Sequence, residues 1–267
     1  MVFLISKKNR KKHCRIGSSV INITCHKYNM TMKVGAGIVF FEDARGLGRC
    51  LKSICPVVDI IIAIDGRFRD FEEIHDTSKD GSREVVESFQ NAKYYNFPNL
   101  TEIEKRNKYL ELAQEHNLDF LIVIDSDEYA VINEDTFKTN LQAILVQKKY
   151  DESICGSVPE VYGIKMYDEQ FEKQNYIVER YNERLLYKPG KLRYHQIHSN
   201  LIDICDTNRN FTTAKYTSIV DGITLYNDDR LRTPEYIKKS IQYQALLFSA
   251  ERLDRKRIVG YDTLRYK

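Results

Sequence analysis

The chain contains no tryptophan, no Cys-x-x-Cys pair, no internal repeat and no apolar run long enough to cross a membrane. Its six cysteines (Cys14, Cys25, Cys50, Cys55, Cys155 and Cys205) follow no secretory leader and are expected to be reduced thiols in a cytoplasmic protein. Acid is missing from residues 1–33, which hold eight Lys and Arg side chains. The rest of the chain then carries 33 basic against 38 acidic side chains, a net of −5 behind the overall +3. That balance excludes a general nucleic-acid binder, whose phosphate contacts need surplus cations. The basic arm, residues 1–32, lacks the apolar core of a signal peptide. It reads as a solvated, flexible extension, or as a basic patch for peripheral contact with an anionic membrane surface or nucleic acid.

What is present suffices for one large α/β domain: 267 residues, 42% apolar, with 18 Tyr and 12 Phe. The most informative stretch is 117–129, NLDFLIVIDSDEY. Residues 120–124 are all apolar and three are β-branched, which predicts a short strand. Without alternation it should be buried on both faces, as in a parallel sheet between helices. The strand runs directly into Asp125, Ser126, Asp127 and Glu128. Three carboxylates there repel one another unless a cation joins them. In extended geometry Asp125 and Asp127 point to the same side, which suits a hard divalent cation, magnesium or manganese, holding a phosphorylated substrate.

In chain order, residues 33–41 predict a strand and 45–54 a helix, with Leu47, Leu51 and Ile54 on its apolar face and Pro56 beyond it. Residues 57–64 predict a second buried strand closing on Asp65-Gly66, making a parallel βαβ unit. Residues 67–80 are charged and read as a loop. A helix over 83–90 and a strand over 93–97 follow, then a helix to His116 opened by the capping box Thr101/Glu104. The order from 34 to 125 predicts a doubly wound sheet. After a helix at 134–147, residues 158–166, 176–187 and 192–204 read as antiparallel or edge strands. Thr233-Pro234-Glu235 opens a last helix to Leu253, with Ile237, Ile241, Ala245 and Phe248 on one side.

Three acidic stations thus fall at strand ends, Glu42-Asp43, Asp65 and Asp125-Ser126-Asp127, where open α/β sheets bind ligands. Around them lie Phe41-Glu42-Asp43-Ala44 with Arg49-Cys50-Leu51-Lys52-Ser53, residues 60–65, and Lys79-Asp80-Gly81-Ser82-Arg83-Glu84. Further on come Lys105-Arg106-Asn107, Ile124-Asp125-Ser126-Asp127-Glu128, Arg184-Leu185-Leu186, Gln196-Ile197-His198-Ser199 and Leu231-Arg232-Thr233-Pro234-Glu235-Tyr236. In this order, over residues 34–250, the set resembles a family-2-type glycosyltransferase with the GT-A nucleotide-diphospho-sugar transferase fold, in the branch that carries Asp-x-Asp-Glu.

The resemblance implies a single GT-A domain over 33–256, with a donor-binding half at 33–129, an acceptor half with the last helix at 130–256, and a tail at 257–267. It implies a doubly wound, mostly parallel central sheet beside a smaller mixed or antiparallel part. Glu42, Asp65, Asp80, Arg106 and Asp125 would contact the nucleotide-sugar, with Asp65 on base or ribose and Arg106 on base or diphosphate. Residues 66–79 look inserted between Asp65 and Asp80. Asp127, Asp125 and His198 would serve the metal. The family's His-Tyr-Gly before the last helix is replaced by Thr224-Leu225-Tyr226-Asn227. An inverting transfer needs a base for the acceptor hydroxyl, and Glu179 and Glu183 both qualify.

The implied activity is a hexosyltransferase-like one, metal-dependent, with a UDP- or GDP-sugar donor and a glycan, lipid-linked or protein acceptor. A nucleotidyltransferase acting on a sugar phosphate is the alternative enzyme, and it would show a Gly-rich basic loop after the first strand. The nearest stretch is Arg45-Gly46-Leu47-Gly48-Arg49, which fits a packed helix better. An inactive nucleotide-sugar-binding module would have lost the carboxylate pair, which is intact.

Overall fold

The structure, a computed structural model, describes residues 12–16, 19–23, 31–69, 71, 75–155, 158–168, 180–196, 200–206, 210–211 and 218–227. The chain divides into two units, Met1–Thr31 and Met32–Lys267. In the first, β1 (Lys12–Ile16) pairs antiparallel with β2 (Ser19–Ile23), with Ile16 opposite Ser19. The basic arm therefore contains a two-stranded ribbon.

The second unit begins with β3 (Val34–Val39), α1 (Ala44–Ile54), β4 (Ile60–Asp65), α2 (Ser82–Glu87) and β5 (Ala92–Asn96). It continues with α3 (Glu102–Glu115), β6 (Phe120–Val123), β7 (Glu128–Ile132) and α4 (Glu134–Cys155). Strands β8 (Glu160–Asp168), β9 (Arg180–Tyr187), β10 (Leu192–Gln196), β11 (Asn200–Asp203), β12 (Asn210–Phe211) and β13 (Ile219–Asn227) complete the described elements.

The expected α/β fold is present. An eight-stranded sheet runs β5-β4-β3-β6-β9-β8-β13-β7, and β10, β11 and β12 form a small antiparallel sheet. Strands β5, β4, β3 and β6 are parallel. Their chain order reverses at β3, which has β4 on one side and β6 on the other, the switch point at whose carboxyl side open α/β sheets bind ligands. From β9 onward the sheet is mixed, with β8 and β13 parallel and the pairs β6–β9, β8–β9 and β7–β13 antiparallel.

The three inner strands of the parallel half, β3, β4 and β6, are buried because each is an apolar run, whereas the edge strand β5 is only partly covered. Ile61, Ile62, Ala63 and Ile64 of β4 and all of β6 are buried. Gly37 of β3 lets helix α3 approach closely, since a Cβ there would lie 2.9 Å from the Tyr109 ring. The Thr101–Glu104 capping box opens α3, with Thr101 N–H donating to Glu104 at 2.7 Å and Glu104 N–H donating to Thr101 Oγ1 at 3.2 Å. In the mixed half, Tyr129, Tyr226 and Tyr167 stand in cross-strand register on β7, β13 and β8. Their neighbouring rings lie 5.2 Å apart, a pairing that helps hold the three strands together.

Several boundaries differ from expectation. Helix α4 continues past 147 to Cys155, and the segment 192–204 is the hairpin β10–β11 rather than one strand. Strands β7 and β13 go beyond the expected elements: β7 opens on the charged Glu128 and β13 is interrupted by Asp221-Gly222, and each is held by its partners. The predicted helix from Thr233 lies outside the described residues. Among the described residues no helix is long and apolar enough to cross a membrane.

Candidate active site

Because β4 and β6 both run parallel to β3, Asp65 and Asp125-Ser126-Asp127-Glu128 emerge at the same carboxyl edge, with Glu42-Asp43 between them. The sheet thus gathers the three acidic stations read from the sequence. What holds each of them was less legible.

At the centre, the extended geometry expected for Asp125 and Asp127 is replaced by a turn. Strand β6 ends at Val123, and the N–H of Glu128 donates to Asp125 O at 3.0 Å. Asp125 accepts from Arg106 Nη2 on Oδ1 and from Arg184 Nη2 on Oδ2, both at 2.9 Å. Glu128 is buried and accepts from Arg184 Nη2 at 2.7 Å and from the N–H of Asp125 at 2.9 Å. Arg106 also pairs with Glu102 at 2.9 Å. Burial alone would raise the Asp125 carboxyl, but Arg184 and Arg106 outweigh it and hold it well below the usual carboxylate range. For Glu128 burial prevails over Arg184 and, with Asp125 and Asp127 nearby, pushes the carboxyl up to about 8.

Arg184 therefore supplies much of the positive charge that the acidic run demands. The sequence reading had placed it only among the matching stretches. Its signal was visible in hindsight, an arginine abutting the buried pair Leu185-Leu186. Strand β9 bulges there: Tyr162 of β8 faces Leu185 and Gly163 faces Glu183, leaving Arg184 as the extra residue. A bulge re-aims side chains in this way. Next to it, Glu183 Oε1 is buried and has no hydrogen-bond partner among the described residues. Burial pushes the Glu183 carboxyl up, against an opposing hydrogen bond and Arg184.

Asp127 lies in the turn, and its backbone carbonyl accepts from Arg49 Nη2 at 3.3 Å. The Arg49 guanidinium also sits over the Tyr129 ring, 4.5 Å from its centroid. Ser126 Oγ donates to Asp43 Oδ2 at 2.6 Å, clamping the turn to the start of α1. Gly46 permits this approach, since a Cβ there would fall 2.8 Å from Ser126 O. No three His, Cys, Asp or Glu side chains converge as a metal cluster among the described residues. Asp125, one of the two carboxylates expected at a metal, is turned onto two guanidiniums instead. Magnesium-type sites need only one or two carboxylates, completed by substrate phosphates.

At the β4 end, Asp65 is fully buried and accepts three hydrogen bonds. Ser78 contributes its N–H at 3.1 Å and Oγ at 2.6 Å, and Tyr94 its hydroxyl at 2.6 Å. Glu42 Oε1 accepts from Lys79 N–H at 2.6 Å and lies 3.0 Å from His75 Nε2. The Glu42 N–H donates to Ser78 Oγ at 2.8 Å. Asp80 accepts on Oδ2 from Ala44 N–H, at the first turn of α1, and on Oδ1 from Ser82. It joins the starts of two helices. Ser78, Tyr94 and His75 carry no signal of their own in the sequence, and Lys79 appears there only within a matching stretch, because their roles depend on how the segment after Asp65 folds back.

Glu179 and His198 lie outside the described residues. The Arg45–Arg49 segment forms the first turns of α1 with Leu47 buried, so it is not an open phosphate loop. Thr224 to Asn227 belong to β13.

No family model and no curated protein matches the chain. Among solved structures it is distantly similar to TarS 1–349 of S. aureus, with TM-score 0.36 and 19% identity over 51% of this chain and 36% of that one. This chain therefore spans little more than a third of that protein. Glucosyl-3-phosphoglycerate synthase of Mycobacterium tuberculosis, solved with Mn2+, UDP and glucosyl-3-phosphoglycerate, gives 0.36 and 12% over 59% and 57%. The 4-diphosphocytidyl-2C-methyl-D-erythritol synthase of Anaerococcus prevotii gives 0.35 and 14% over 59% and 70%. At this distance none of them assigns a substrate or a reaction to this chain.

Proposed function

We propose that the chain is a metal-dependent glycosyltransferase of the GT-A type, moving a sugar from a UDP- or GDP-sugar to an acceptor hydroxyl with inversion. One observation carries the reading: acids from β3, β4 and the turn after β6 meet at the carboxyl edge of a doubly wound sheet, at its switch point. On this reading Asp65 and Glu42 face the nucleoside, and Asp125, fixed by Arg106 and Arg184, orients the donor sugar. Asp127, with His198 as its expected companion, would hold a magnesium or manganese ion, which when bound neutralises charge on the departing diphosphate.

Glu183 serves as the base. Its buried oxygen lacks a partner among the described residues, and its raised carboxyl moves towards the pH at which proton transfer is efficient. Arg184, the next residue, ties that part of β9 to Asp125 and Glu128. Glu179 remains the other candidate. The packing of residues 45–49 into α1 weighs against the nucleotidyltransferase alternative.

The test is calorimetry of UDP and GDP binding to the full chain with manganese and with chelator. Binding should need the cation, and Asp127→Ala should remove that dependence together with sugar transfer. Equal affinity in both conditions would overturn the metal role.

A further inference from the structure

Residues 75–80 lie against the carboxyl edge of β3 and β4 through a set of hydrogen bonds that resembles a ligand's. A hydroxyl and an amide N–H of Ser78 fill Asp65, while an amide N–H of Lys79 and the ring of His75 reach Glu42. These are the donor types, O–H and N–H, that a ribonucleoside presents to a carboxylate. With Tyr94 on the remaining side, Asp65 has no solvent exposure. In this conformation it cannot contact anything else.

No residue of the segment belongs to a strand, so it is laid over the edge rather than built into the sheet. It is bracketed by Gly66 and Gly81, with φ of +118° and +92°. A Cβ on Gly81 would meet nothing within 4 Å, so glycine is favoured there by the backbone angle and not by space. Glu42 itself, a non-glycine residue, sits at φ +54°, and Ser78 Oγ accepts from its N–H in that uncommon conformation. Within the insertion Arg67 pairs with Asp76 at 3.1 Å, so its two limbs are tied to each other.

We propose that residues 75–80 are a strap that occupies Asp65 and Glu42 in the resting protein and competes with the nucleoside part of the donor for them. The proposal rests on the glycosyltransferase reading and adds regulation to it. The nucleotide exchanges its own O–H and N–H groups for those of Ser78 and Lys79, and no net hydrogen bond is lost at the buried carboxylate. The strap therefore lowers affinity without closing the site permanently, and it favours ligands whose donors match those of the strap.

The experiment compares wild type with Ser78→Ala in the full chain, using UDP, GDP, CDP and dTDP with manganese. Removing the Ser78 hydroxyl takes away one strap bond to a charged acceptor, and nucleotide should bind roughly tenfold more tightly. In the wild type, saturating nucleotide should accelerate hydrogen exchange at the Ser78 and Lys79 amides, whether or not the variant folds. If the wild type binds nucleotide and a cooperatively folding S78A binds it no more tightly, the strap is a fixed wall and the proposal fails. Persistent protection of both amides at saturation overturns it as well. If no nucleotide binds either protein, the glycosyltransferase reading falls, and the strap proposal with it.

Discussion

Asp65 and Asp125 stand at the ends of neighbouring parts of one sheet edge, yet they are held by opposite chemistry. Asp65 is surrounded by neutral donors, the Ser78 N–H and hydroxyl and the Tyr94 hydroxyl. Asp125 is held by two guanidiniums. Neutral donors can be exchanged for those of a ligand at small net cost, whereas removing a guanidinium strips charge compensation from the partly buried Asp125. The β4 end is thus suited to exchange. The turn after β6 is suited to rigidity, keeping its acids in place while a substrate comes and goes.

The sharpest way to break this comparison is Arg184→Met, which keeps the apolar stem and removes the charge that both Asp125 and Glu128 contact. Urea unfolding should show a loss of about 2–3 kcal/mol, since Glu128 is left buried without its guanidinium while Asp125 keeps Arg106. A loss below about 1 kcal/mol would mean that Arg106 alone suffices.

A second effect separates the two ends by pH. Lys105 of α3 is fully buried, donates to Gly66 O and lies 4.0 Å from the Phe68 ring centroid. Burial lowers its ammonium from 10.5 to about 7, against the pull of Asp65. Between those values the unfolded chain binds more protons than the folded one, so this group makes stability rise with pH from about 7 towards 10.5. Below pH 7 its contribution is flat. The slope is at most about 1.4 kcal/mol per pH unit. Unfolding midpoints between pH 6 and pH 9 should rise less steeply in Lys105→Met than in wild type, and parallel profiles would show that Lys105 does not titrate there.

The smallest effect is expected at the neutral end. Tyr94→Phe removes one hydrogen bond to Asp65 and should cost about 1.5 kcal/mol, measured by the same unfolding. A cost equal to that of Arg184→Met would erase the distinction between exchangeable and fixed carboxylates.

The parallel half of the fold was legible because its information is local. Each of β3, β4 and β6 is a run of apolar residues ending in acid, and the Thr101/Glu104 capping box marks α3 to within a residue. The mixed half was not, because β7 and β13 owe their extended form to one another and to β8. Tyr129, Tyr226 and Tyr167 mean little apart, and only the register brings their rings together.

The same division runs through the candidate site. Residue order alone determined that Glu42, Asp65, Asp125 and Asp127 would follow strands, since an apolar run must end where charge begins. It also determined which of them share an edge, through the alternation of strand and helix. Only tertiary structure decided what neutralises them. Arg106 and Arg184 are 19 and 59 residues from Asp125, and Ser78 and Tyr94 are 13 and 29 from Asp65. A buried carboxylate demands a partner, but its own neighbours in the chain do not say which one the fold will bring.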